Sequence, residues 1–167
     1  MVANPEIATA LGMAGGFACL AFAAMGSAAG AGAACMASIG VWKRCYATNR
    51  PASFLLLAFM GAPLTQTFYG LILMGVIDDA AKAADGALFP ALLMCGALSG
   101  IGMGISAWMQ GRAAAGAADA LAETGKGFTN YMIALGIIET VALFIMVFSM
   151  MMLTKVVDIV TKVAGSG

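Results

Sequence analysis

Glu139 is the only charged residue between Lys126 and Lys155, and it falls near the middle of a long apolar run. A charge at the centre of a bilayer costs about 3 kcal/mol or more, and such residues usually mark ion or proton pathways. A structural alternative is a protonated acid bonded to a neighbouring backbone group. That alternative is the weaker one, because burying an acid is a costly way to make a single hydrogen bond.

Other polar groups lie at matching depth in the remaining apolar runs. Thr65, Gln66 and Thr67 sit mid-run in the second, and Gln110 ends the apolar part of the third, with Ser106 one turn before it. Pro63 precedes Thr65 and has no N–H to donate, which frees the carbonyl four residues back, that of Phe59. The kink can also turn a nearby carbonyl such as that of Ala62 towards a ligand. Taken singly, each has an ordinary explanation: a Thr can bond back to its own helix, and a Gln near a helix end can reach the interface. Taken together, a carboxylate, two amides, a hydroxyl and a freed carbonyl make an oxygen-rich cage of the kind hard cations take.

The composition requires a membrane. Of 167 residues, 62% are hydrophobic and 10% charged, far below the roughly 25% charged residues of a soluble domain. A soluble chain of this length could not bury so much apolar surface. Net charge is zero and no basic patch exists, so nucleic acid is not an expected partner. Cys19, Cys35, Cys45 and Cys95 form no CxxC pair and read as small apolar fillers; with no His in the chain, a transition-metal site is not expected. Ala33-Ala34-Cys35 faintly resembles a lipoprotein cleavage site. The residues before the first apolar run hold Glu6 and no Lys or Arg, however, so that run is expected to be a retained span.

About 20 apolar residues cross the hydrocarbon core, and their backbone must satisfy itself, so the runs are helices. Four are expected, at about 7–41, 53–77, 87–110 (continuing as helix past Ala120) and 128–157. Several exceed the minimum and should protrude or tilt. The first connection carries Lys43, Arg44 and Arg50 without an acid, whereas the second, Asp78 to Asp85, is net acidic. The positive-inside rule then places loops 41–52 and 111–127 in the cytoplasm and both termini outside.

The two halves resemble each other. Span one holds Gly12, Gly16, Gly26, Gly30 and Gly32, and span three holds Gly96, Gly100 and Gly104 at four-residue spacing. Such spacing puts glycines on one face and lets backbones approach closely. Placing Gln66 over Glu139 aligns Pro63-Leu64-Thr65-Gln66-Thr67 with Gly136-Ile137-Ile138-Glu139-Thr140. The expected architecture is therefore an all-α membrane protein of two duplicated helical hairpins, residues 1–83 and 84–167, with a carboxylate in one copy and an amide in the other.

These segments resemble a known family. Pro63-Leu64-Thr65-Gln66-Thr67-Phe68-Tyr69-Gly70 is similar to the P-x-T-Q-x-x-Y-G segment of the membrane-rotor proteolipid (K or c subunit) of V-type and A-type rotary ATPases. Met109-Gln110-Gly111-Arg112-Ala113-Ala114-Ala115-Gly116 resembles its Q-G-[KR]-x-A-A-A-G segment, Ile138-Glu139-Thr140 its fourth-helix carboxylate motif, and Gly26-Ser27-Ala28-Ala29-Gly30 its inner helix. Within that family the chain most resembles the sodium-coupled bacterial branch. The resemblance implies a ring of identical copies, with spans one and three inside and two and four outside. It makes Glu139 the ion-binding carboxylate, Thr65, Gln66 and Gln110 side-chain ligands for Na+, and Ala62 a carbonyl ligand. Tyr69 would hydrogen-bond Glu139 in the occupied state. Partners would be the stator membrane protein, the central-stalk proteins at the cytoplasmic loops, and lipid. Two departures stand out: Ala62 is small for its position, and the first loop is long.

Cation or proton neutralises Glu139 and so lets it pass through lipid. A proton needs only Glu139 and one acceptor, which would leave the hydroxyl and both amides as superfluous polar groups in a low-dielectric site; their joint presence favours sodium. The chain has no GxxxxGK[ST] loop, so nucleotide chemistry would belong to partner subunits and no cofactor is expected. Two other classes compete. A small four-helix cation or multidrug antiporter also uses a membrane Glu, but in its first helix, whereas span one of this chain (about 7–41) has no acid. A purely structural membrane scaffold would tolerate loss of Glu139.

Overall fold

The computed structural model describes residues 4–165, with side chains through Val163. The described residues are helical apart from short connections. The elements are α1 (Pro5–Ala47), α2 (Leu56–Gly61), a 3-10 turn (Ala62–Leu64), α3 (Thr65–Ala83), α4 (Phe89–Thr124) and α5 (Phe128–Gly165). With α2, the turn and α3 running on from one another, four helices are long and apolar enough to cross a membrane. Phe17, Met25, Phe54, Phe68, Ile137 and Phe148 are among many large apolar side chains left exposed. This is a multi-pass membrane chain.

The helices outrun the apolar stretches that announce them. α1 continues through Lys43 and Arg44 to Ala47, α3 continues through Asp78, Asp79 and Lys82 to Ala83, and α5 continues past Val157. Hydropathy marks where lipid is, and a helix stops only where its backbone is capped or broken. Both early stops are of that kind. Asn49 takes a left-handed conformation (φ 50°) and Arg50 N–H bonds Cys45 O at 2.9 Å; Asp85 does the same (φ 46°), with Gly86 N–H on Ala81 O at 3.4 Å. Such left-handed residues close the last helical turn onto its free carbonyls. At the other end of α1, Asn4 accepts a hydrogen bond from Glu6 N–H at 3.0 Å and Pro5 occupies the first turn. The first connection is therefore shorter than the sequence implied, and Trp42 Nε1–H pins it by donating to Ser53 O at 3.2 Å.

α1 and α4 meet backbone to backbone. A Cβ on Gly96 would strike Gly15, one on Gly100 would lie 2.6 Å from the Cys19 carbonyl oxygen, and one on Gly104 would lie 2.5 Å from that of Phe22. One on Gly111 would strike Gly30. Residue numbers rise together along this seam, so α1 and α4 run parallel. α3 lies antiparallel to α1: Gly70 faces Ala23 and Leu20, while Gly16 faces Met74 and Asp78. α5 lies antiparallel to α4, with Ile145 over Gly102 and Ser149 against Ser99. The fourth helix is held less by small residues than by side chains: Phe59 of α2 packs on Phe128 and Tyr131, at ring centroid distances of 5.4 and 6.4 Å.

Candidate functional site

The proline break sets the first part of the site. Pro63 is buried in the 3-10 turn, where Gly30 leaves room for it against α1. Thr65 follows at once, and its hydroxyl donates to Ala62 O at 3.1 Å. The carbonyl that the turn brings beside the polar cluster is thus that of Ala62. Gln66 is fully buried, and Tyr69 lies one turn further along the same face.

From there a continuous run of hydrogen bonds crosses the bundle. Thr65 Oγ1 also lies 3.2 Å from Gln66 Oε1, so its single hydroxyl proton is shared between that amide oxygen and the Ala62 carbonyl. Gln66 Nε2–H donates to Gln110 Oε1 at 2.8 Å, joining two amides that are both wholly inaccessible to solvent. Gln110 Nε2 donates to Glu139 Oε2 at 3.4 Å and to the Leu135 carbonyl at 3.0 Å. Tyr69 Oη–H closes the run on Glu139 Oε1 at 2.7 Å. Glu139 itself is only partly buried.

All six residues anticipated for the site are thus brought together, by the 3-10 turn and α3 to α5 of one chain. Ala62, Thr65, Gln66, Gln110 and Glu139 are linked in one hydrogen-bond network, and each carries a carbonyl, hydroxyl or carboxylate oxygen of the kind a hard cation takes. Thr67 is left out of the run. Sequence reasoning missed the backbone acceptors on α5: Leu135 O, and Ile138 O, which accepts from Ser106 Oγ–H at 2.9 Å. It also missed the Ser99–Ser149 hydroxyl pair at 2.8 Å. No sequence signal marks a carbonyl acceptor, since every residue carries one. Ser99 and Ser106 differ by seven residues, two helical turns, and that spacing was the one available clue.

Residues 93–152 match the family of the ATP synthase C subunit. The match takes in nearly all of α4 and the first two-thirds of α5, and with them Ser106, Gln110 and Glu139. Thr65, Gln66 and Tyr69 stand outside it. No curated protein matches the chain.

Proposed function

We propose that this chain is the ion-carrying subunit of a V/A-type rotary ATPase rotor, that Glu139 is its ion-binding carboxylate, and that the ion is sodium. The observation that carries the reading is the unbroken run from Ala62 O through Thr65, Gln66 and Gln110 to Glu139 and Tyr69, placed between helices fit to cross a membrane. The match of residues 93–152 to the ATP synthase C subunit supports it independently, and favours it over an antiporter. Residues 1–83 and 84–167 are read as duplicated hairpins. In support, α1 runs parallel to α4, and Phe59, Tyr69 and Val76 lie beside Phe128, Glu139 and Leu153 as parallel helices would bring them.

In this mechanism Na+ binds among the carboxylate of Glu139, the Thr65 hydroxyl, the Gln66 and Gln110 amides and the Ala62 carbonyl. Binding neutralises Glu139, so the loaded site can travel through lipid in a ring of identical copies. Tyr69 holds the carboxylate in place meanwhile. At a stator subunit the ion leaves and is replaced from the other side, and each charge moved across the membrane is worth about 2.3 kcal/mol per 100 mV. ATP chemistry belongs to partner subunits, engaged through the ends near Lys43, Arg44 and Arg50, which we place in the cytoplasm. One carboxylate per four helices moves few ions per turn and favours pumping against a steep gradient.

The buried Gln66–Gln110 amide pair is the reason for preferring sodium to a proton, since a proton carrier would gain nothing from it. The test is carbodiimide labelling of Glu139 in the purified membrane protein, with and without sodium at neutral pH. Sodium should slow labelling. Protection by acid alone would replace sodium with a proton, and labelling that neither slows would end the ion-carrier reading.

A further inference from the structure

The threonine hydroxyls of Thr140, Thr154 and Thr161 in α5 turn back on their own helix, donating to the carbonyls of Ile137 (2.7 Å), Met150 (3.0 Å) and Val157 (3.0 Å). That is the ordinary fate of a hydroxyl in an apolar helix. Ser106 does otherwise. Its hydroxyl crosses from α4 to the carbonyl of Ile138 on α5, at 2.9 Å, and Ile138 is the residue immediately before Glu139.

One turn along α4, Gln110 reaches across in the same way to Leu135 O at 3.0 Å. Two donors one turn apart therefore grip two carbonyls three residues apart. The rest of the contact near the site is apolar, with Ile145 over Gly102 and Ala142 fully buried, and such packing is non-directional. A slip of α5 by one residue would move Glu139 by about 1.5 Å and swing it by about 100°. Both the 2.7 Å contact to Tyr69 and the 3.4 Å contact to Gln110 would be lost.

We infer that Ser106 is a positioning residue for the ion site: its hydrogen bond to the Ile138 carbonyl fixes the register of α5 on α4 and so the place of the Glu139 carboxylate. This rests on Glu139 being the ion carrier. Ser106 is buried, its hydroxyl is spent on the Ile138 carbonyl, and it acts through the backbone of the helix that bears the carboxylate. The Ser99–Ser149 pair is a second crossing bond, about 15 Å from Glu139 along α5; it restrains the far part of the helix, whereas Ser106 restrains the turn that carries the carboxylate.

The test compares Ser106→Ala with Ser99→Ala and the unaltered protein. Each is assayed for the sodium concentration that halves carbodiimide labelling of Glu139, and for ring assembly on a gel. Losing one hydrogen bond in a buried contact should raise the half-protecting concentration about five- to tenfold for Ser106→Ala, with assembly intact. Ser99→Ala should stay near the unaltered value. An unchanged midpoint for Ser106→Ala, an equal shift in both variants, or loss of assembly would each overturn the positioning role while sodium protection of the unaltered protein stands. If that protein is protected only by acid, the sodium reading fails instead, and the same comparison of midpoints is made in proton concentration.

Discussion

Tyr69 and Glu139, seventy residues apart in sequence, are joined by a 2.7 Å hydrogen bond between α3 and α5. The phenol is the only side chain of α3 that reaches the carboxylate directly among the described residues, whereas Gln66 reaches it through Gln110. Tyr69→Phe removes the donor and keeps the ring. A lost hydrogen bond to a charged group is worth about 1.5–3 kcal/mol. The expected outcome is faster sodium release, read as a loss of carbodiimide protection at sodium levels that shield the unaltered protein.

Glu139→Gln should abolish labelling and ion transport together while leaving the fold intact, because an amide can still accept from Tyr69. Transport into vesicles by the complete complex, alongside a gel for assembly, checks both halves of this statement. Retained transport would sink the carrier role.

Gln66 and Gln110 form a buried amide pair at 2.8 Å. Gln110→Leu strands the Gln66 amide and the extra bond to Leu135 O, so it should weaken sodium protection more than Gln66→Leu. Residues in one network couple by about 0.5–3 kcal/mol, so the double variant should be less damaging than the two effects added. A double-mutant cycle on the sodium midpoint measures this directly.

The glycines of α4 are not equivalent. A Cβ at Gly100 would sit 2.6 Å from a backbone oxygen of α1, whereas one at Gly116 would meet nothing within 4 Å. Gly100→Ala should therefore lower the thermal stability of the solubilised protein clearly, and Gly116→Ala should leave it unchanged or slightly raised, since Ala is the better helix former. Thermal unfolding of the two variants tests the contrast.

Gln66, Gln110 and Glu139 were legible as residues because a polar group inside an apolar run is conspicuous against its cost in lipid. Tyr69 was not legible in that way. An aromatic residue in an apolar helix reads as packing, and only the resemblance of Pro63 to Gly70 to a rotor segment singled it out. Ala62 was reachable from Pro63, since a missing N–H predicts a disturbed carbonyl nearby. The α5 carbonyls that Ser106 and Gln110 grip were invisible, because nothing in sequence distinguishes one acceptor from the next. Helix ends such as Asn49 and Asp85 were misplaced by hydropathy for a different reason. They depend on single left-handed residues in water and not on where lipid stops. The four-residue glycine spacing of α4 showed that a backbone would come close; that the partner was the parallel helix α1 took the structure to show.

The α1–α4 seam is built from backbone atoms, and backbone has no rotamers to change. Two helices locked in this way behave as a single stiff plank, since any relative movement drives main chain into main chain. α3 also lies close against α1, with Gly70 beside the Leu20 and Cys19 backbone, so compliance is left to α5, which touches α4 through side chains such as Ile145 and a few crossing hydrogen bonds. In the proposed carrier, opening and closing around Glu139 then becomes a matter of swinging Tyr69 and the two amides against an unyielding wall. The wall keeps its shape whether the proposed site is charged or empty, so a change at the site would not be felt as a deformation along α1 and α4.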